Sequence, residues 1–258
     1  MSIDFELDDS GIATITINRP ERRNAMDAEH YAALSDAWVR VRDEPEIRCA
    51  IITGAGDISF TAGADLKSLI GRPNELWQFF LTQKGQILNR GLEVWKPVIA
   101  AVNGFCIGGG TTLLLATDIR IAVPHAKFGV AEVKRGVIAA NGGTQRILRQ
   151  MPYPIAMEML LTGDPIDAQQ AERWGLINKI VPQSELMPTA RAYAKRISAN
   201  APLAVQAAKE LAMRSRDASL SDGLRFEQLF SRILQASEDV KEGTAAFAEK
   251  RQPHFHGR

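Results

Sequence analysis

Residues 97–112 read Pro97-Val98-Ile99-Ala100-Ala101-Val102-Asn103-Gly104-Phe105-Cys106-Ile107-Gly108-Gly109-Gly110-Thr111-Thr112. The first six form a short, nearly continuous apolar run that stops at Asn-Gly, the pattern of a strand covered on both faces. Cys49-Ala50-Ile51-Ile52-Thr53, running into Gly54-Ala55-Gly56, has the same form. Upstream, residues 11–18 (GIATITIN) set Ala13, Ile15 and Ile17 on one side and Ile12, Thr14 and Thr16 on the other, as a strand does. Between these strands, residues 27–42 carry Tyr31, Leu34, Trp38 and Val41 at helical spacing, with Asp27 as N-cap and Glu44-Pro45 as the stop. A second helix is predicted over about 75–90. Strands at 119–123 and 176–181 and helices at 143–150 and 153–161 continue the alternation, so the fold class is α/β. After about residue 184 only helical patterns follow, over 185–198, 203–216, 219–236 and 240–251. That all-helical appendage is expected to pack on the core or on another subunit.

The 258 residues are 45% hydrophobic and 24% charged, which excludes low-complexity, collagen-like and supercharged chains. With 31 basic and 30 acidic residues the chain as a whole attracts neither nucleic acid nor anionic lipid. Any phosphate must be met locally. Cys49 and Cys106 are too few for a disulfide framework or a thiolate metal site and read as buried thiols. His30, His125, His254 and His256 lack ligand spacing with a second His or Cys, so no metal is expected. The N-terminal stretch is acidic without an apolar core, and no run of about 18 apolar residues occurs, which predicts a cytoplasmic protein without a membrane partner.

Two glycine clusters, Phe60-Thr61-Ala62-Gly63-Ala64-Asp65-Leu66-Lys67 and 103–112, each follow an apolar strand and lead into a helix. Such turns leave N–H groups free for an anion or a developing oxyanion, although glycines also serve tight turns and close packing alone. Neither cluster has Gly-x-Gly-x-x-Gly spacing or a following Gly-Lys-Ser/Thr, and the chain contains no Gly-x-Ser-x-Gly.

Several stretches occur together and in order: Ser59 with the first cluster, the 97–104 run, Gly108-Gly109-Gly110, Phe128-Gly129 through Glu132, Gly142-Gly143-Thr144-Gln145-Arg146, Ala171-Glu172-Arg173-Trp174-Gly175-Leu176-Ile177-Asn178, and Phe247-Ala248-Glu249-Lys250-Arg251. The combination resembles the crotonase superfamily and, more closely, the enoyl-CoA hydratase/isomerase family, nearly end to end. The resemblance implies a spiral of β-β-α units forming two roughly perpendicular sheets over residues 1–197. It also implies a helical oligomerisation region over 198–258 that builds homo-trimers, often paired into hexamers. The implied substrate is an acyl-CoA thioester, with coenzyme A as part of the substrate and no permanently bound cofactor. Carried over by position, the N–H groups of Ala64 and Gly109 hold the thioester oxygen. Ala62, Gly63, Asp65, Leu66 and Lys67 line the CoA path, and Phe247 and Lys250 lie near the adenine and 3′-phosphate.

Family hydratases place two glutamates around one water. Here the second is Glu132, whereas the first position holds Thr112. A hydroxyl holds a water but is no base near neutral pH. The family's 3,2-enoyl-CoA isomerases keep only the glutamate matching Glu132, which shuttles one proton. Glu132 is therefore the expected single acid/base, with Thr112 orienting a water or a substrate group. The plain alternatives are an ion-pair carboxylate beside Lys134 and Arg135, and a Thr that only packs at a helix end. Asp65 also reads as a helix cap, Asp118 as a fold-stabilising carboxylate, and Lys134 and Arg135 as solvent-facing. Trp77, Phe79 and Phe80 either border the acyl tail or pack in the core. The expected activity is of the hydratase/isomerase type, isomerase-like or a modified hydratase. The competing readings are a catalytically weakened acyl-CoA-binding protein and a crotonase-type hydrolase or decarboxylase.

Overall fold

The computed structural model describes residues 2–69 and 86–258. Strands β1 (Ile3–Leu7) and β2 (Ile12–Ile17) form an antiparallel hairpin, and β2 continues into a parallel sheet with β3 (Cys49–Gly54), β5 (Val98–Val102), β7 (Ile119–Ala122) and β10 (Lys179–Ile180). Every residue of β3 and β5 is buried. Their uninterrupted apolar runs follow from having cover on both faces. A second sheet has the order β4 (Ser59–Thr61), β6 (Phe105–Ile107), β8 (Lys127–Gly129) and β9 (Ile166–Asp167), the first three parallel and β9 antiparallel to β8.

The chain passes from one sheet to the other and then into a helix, again and again. β3 leads to β4 and α2 (Leu66–Leu69), β5 to β6 and α3 (Gly109–Leu114), and β7 to β8 and onward to α4 (Gly143–Gln150) and α5 (Tyr153–Thr162). This is the expected β-β-α spiral, built as two mixed sheets. It corrects the simpler strand-helix-strand order read from periodicity. The strands that reading lacked are three residues long, too short to show alternation. Strand β1 is likewise new, since the acidic terminus pairs along β2.

Two other expectations change. Only Lys179 and Ile180 of the predicted strand at 176–181 join a sheet. The amides of Gly175, Leu176 and Ile177 instead donate back to Glu172 and Ala171 at the end of α6 (Ala168–Arg173). Of the helix predicted over 75–90, the described part is a 3-10 turn at Leu88–Arg90. Trp77, Phe79 and Phe80 lie outside the described residues.

Helix α1 (Ala28–Asp43) begins where Asp27 accepts from the amides of Glu29 and His30, and ends at Glu44. It fully buries Leu34, Trp38 and Val41. Each such side chain contributes roughly 1.5–3 kcal/mol relative to exposure, so the helix is held firmly and Tyr31 at its start is placed by core packing. The last helices are α7 (Gln183–Ser198), α8 (Pro202–Arg214), α9 (Leu220–Gln235) and α10 (Glu238–Glu249). Asp118 accepts from the Val98 amide and pairs with Lys209 of α8 at 2.7 Å, as a fold-stabilising carboxylate should. Among the described residues no helix is long and apolar enough to cross a membrane.

Candidate active site

The three neighbouring parallel strands β4, β6 and β8 each deliver one predicted site segment from the C-terminal end: residues 62–67, 108–112 and 130–135. Adjacent strands lie about 4.8 Å apart, so segments remote in sequence become neighbours.

Met26 fixes the first segment. Its amide donates to the Gly63 carbonyl at 2.8 Å, and its own carbonyl accepts from the Asp65 amide at 2.8 Å, a parallel bridge centred on Ala64. In such a bridge the central residue's own N–H and C=O face the opposite side. The Ala64 N–H donates to no acceptor among the described residues. Asp65 serves as both cap and anchor: one oxygen accepts from the Lys67 amide at 3.2 Å, and the other takes the Arg19 guanidinium at 3.0 Å. Arg19 also reaches Asp27 at 3.4 Å, joining this segment to the start of α1. Leu66 opens α2, and Lys67 is exposed.

The second segment lies against the first. A side-chain carbon on Gly63, whose φ is +83°, would fall 2.6 Å from the Gly109 amide nitrogen, and one on Gly109 would lie 3.5 Å from the Ala64 nitrogen. Gly63 is thus required both by its left-handed backbone and by the close approach. Gly109 opens α3, and its N–H has no acceptor among the described residues. The two predicted amides are therefore brought to one place.

The third segment is tied on by the Gly108 amide, which donates to the Gly129 carbonyl at 2.7 Å. Glu132 sits in the 3-10 turn Ala131–Arg135 and turns its carboxyl toward Gly108, with Oε1 3.4 Å from where a side-chain carbon on Gly108 would stand. Its Oε2 is buried and without a hydrogen-bond partner among the described residues. Burial pushes the Glu132 pKa above the ordinary carboxylate value, partly opposed by a hydrogen bond from its own amide and by Arg135. Lys134 and Arg135 are exposed, Lys134 pairing with Asp164. Glu132 is thus part-buried and in no ion pair among the described residues.

Thr112 is 1% exposed. Its hydroxyl donates to the Gly109 carbonyl at 3.0 Å and accepts from Asn89 Nδ2 at 3.0 Å. The hydroxyl proton is therefore engaged within the protein, which leaves a single lone pair for anything else. Asn89 is itself buried, and its Oδ1 has no partner among the described residues.

Phe247 is 87% exposed, and Lys250 caps α10 in the left-handed conformation. No hydrogen bond or ion pair among the described residues joins either to 62–67. A cavity of about 920 Å³ lies elsewhere, lined by Asp118, Arg120 and Lys209 among others and by none of Ala64, Gly109 or Glu132. A smaller cleft of about 460 Å³ runs beside Asn89, lined by Arg90, Arg146 and Arg149. Sequence reasoning missed Arg19, Tyr31 and Asn89. A polar side chain at the start of a helix next to a glycine-cluster motif is the signal that could have raised Tyr31.

The sequence model of the enoyl-CoA hydratase/isomerase family matches residues 8–258. The chain is 44% identical over 246 residues to the (E)-benzylidenesuccinyl-CoA hydratase of Thauera aromatica, covering 95% of this chain and 96% of that protein. It is 40% identical over 252 residues to the carnitinyl-CoA dehydratase of Salmonella arizonae, covering 95% of each. Among solved structures, an enoyl-CoA hydratase from Mycobacterium tuberculosis H37Rv superposes with a TM-score of 0.91 at 37% identity, covering 100% of this chain and 99% of that one.

Proposed function

This chain belongs to the enoyl-CoA hydratase/isomerase family and is an acyl-CoA enzyme, and we propose that it works by holding a thioester enolate between the N–H groups of Ala64 and Gly109 while Glu132 moves the proton. Taking a proton from carbon beside a thioester puts negative charge on the carbonyl oxygen. Two preorganised amides meet that charge without reorganising, and losing one such donor typically costs about 2.7–4 kcal/mol of barrier. The observation that carries the reading is the part-buried Glu132 carboxyl, its buried Oε2 unpartnered among the described residues, set against Gly108 beside the two contacting segments. A desolvated carboxyl with one oxygen left unpartnered is suited to receive and return a proton.

With Thr112 in place of a second carboxylate, one-base chemistry follows: double-bond isomerisation, or hydration in a modified form. Thr112 orients the Gly109 peptide through its hydroxyl and keeps one lone pair toward a water or substrate group. The CoA portion runs along 62–67, with exposed Lys67 on its path and exposed Phe247 and Lys250 available to the nucleotide end. No cofactor is held beyond the coenzyme A of the substrate. The exposed apolar side chains of α9, including Leu220, Leu229 and Ile233, support assembly into trimers or hexamers.

The test is incubation with 2-enoyl and 3-enoyl CoA esters in deuterated water, following hydration, isomerisation and α-exchange by mass. Exchange that disappears in Glu132→Gln while CoA-ester binding persists supports the reading; undiminished exchange in that variant removes Glu132 from the role. One observation favours a second reading, an acyl-CoA binder without turnover: the Thr112 hydroxyl is occupied by Asn89 and Gly109. Tight binding with no exchange in the unmodified protein would support it. A crotonase-type hydrolase or decarboxylase would be recognised in the same assay by release of free CoA or loss of carbon dioxide.

A further inference from the structure

Tyr31 is held by α1 one turn before Leu34, on the stripe that buries Leu34, Trp38 and Val41, and its ring packs against the hydrophobic core. Its hydroxyl makes no hydrogen bond to any described residue. Tyrosines with buried rings usually find a partner for the O–H, and no described residue supplies one here. The hydroxyl lies beside the contact of the two glycine segments: a side-chain carbon on Gly109 would be 3.3 Å from Tyr31 Oη, 3.3 Å from the Gly63 Cα and 3.5 Å from the Ala64 nitrogen. Desolvation pushes the phenol up to about 12, with the Glu132 carboxylate adding to the rise and Arg90 opposing it. The phenol therefore stays protonated across the working range and remains a donor. The same electrostatic couplings place it in the field of the residue that moves the proton.

We propose that Tyr31 is a further catalytic residue, whose O–H donates a third hydrogen bond to the thioester oxygen beside the N–H groups of Ala64 and Gly109. This rests on the two-amide reading of the site given above. In the step itself Glu132 takes the proton from carbon, the C–H pair becomes the new C–C π bond, and the carbonyl π pair moves onto oxygen. Tyr31 keeps its proton throughout and strengthens its hydrogen bond as the charge grows.

The test compares wild type with Tyr31→Phe, which removes one oxygen and keeps the ring, and with Tyr31→Leu as a packing control. The readouts are kcat and KM for exchange or isomerisation, melting temperature, and the ultraviolet absorption of bound 2,4-hexadienoyl-CoA, whose band moves to longer wavelength when its carbonyl is polarised. Tyr31→Phe is expected to lower kcat roughly 10–100-fold, less than the 10²–10³ of a principal donor. KM should stay within about threefold, melting should be unchanged, and the red shift of the bound chromophore should shrink. Wild-type kcat and an undiminished red shift in Tyr31→Phe would overturn the inference. A loss seen in Tyr31→Leu but not in Tyr31→Phe would also overturn it, by assigning the effect to packing. If wild type binds the dienoyl ester with neither exchange nor red shift, the two-amide reading fails, and the Tyr31 role fails with it.

Discussion

The Glu132 carboxyl rests on Gly108, its Oε1 3.4 Å from the point a side-chain carbon would occupy there, and Gly108 has a φ of +59° that L side chains rarely adopt. Gly108→Ala would both strain the backbone, at about 1–3 kcal/mol, and put a methyl group against the carboxyl. The variant is expected to melt at lower temperature and to lose at least tenfold in kcat. The acidic limb of its rate profile should move to higher pH, because the methyl excludes water from Oε1. A kcat–pH profile alongside thermal denaturation checks all three.

Glu132 itself gives a prediction whose sign differs for rate and for stability. As a base it must be ionised, so activity falls as pH drops through a value above the ordinary 4.5 for a glutamate. For folding, a carboxyl raised in the native state binds its proton more tightly there than in the unfolded chain. Its contribution is fully present below pH 4.5 and is lost as pH rises through the raised native value. Glu132→Gln removes this dependence. Chemical denaturation should find the variant gaining on wild type between pH 4 and 8, with kcat down about 10²–10⁴-fold at neutral pH. Equal pH dependence of stability in the two proteins would show that burial does not perturb this carboxyl.

Thr112 sits between Asn89 and the Gly109 carbonyl, with its methyl carbon 2.7 Å from where a side-chain carbon on Gly143 would stand. Thr112→Glu introduces a second carboxyl within reach of Asn89 Nδ2 at a tightly packed position. Hydration of crotonyl-CoA is expected to rise at least tenfold over wild type. Overpacking should cost about 1–3 kcal/mol of stability. Ordinary family rates of hydration already present in the wild-type protein would refute the missing-base argument.

Cys49 and Cys106 are buried, and desolvation pushes both thiols up to about 12. Since the thiolate is the reactive form, native protein at pH 8 should react with a thiol reagent at least 100-fold more slowly than denatured protein. Two thiols should appear on unfolding, counted by absorbance.

The apolar strands were legible because burial on two faces leaves a strong local signature, as in residues 98–102. Asp27 was legible as a cap because its side chain bonds amides two and three residues away. The carriers of the site were not legible from periodicity: β4, β6 and β8 are three residues each, and they exist through pairing with strands more than 20 positions away. The family resemblance supplied Ala64, Gly109 and Glu132, and their convergence is a property of that pairing. Tyr31, Arg19 and Asn89 escaped notice because each acts across the fold, Arg19 on Asp65 and Asn89 on Thr112. In one dimension an amphipathic tyrosine looks the same as any other core-facing aromatic.

Because β4, β6 and β8 share one hydrogen-bonded ladder, their three exits are stiff relative to one another: shifting one strand end by an ångström means breaking bonds to the next. Tyr31 and Asn89 stand on elements of another kind, a helix start and a 3-10 turn. The three strand exits therefore keep their spacing whatever changes at those two elements.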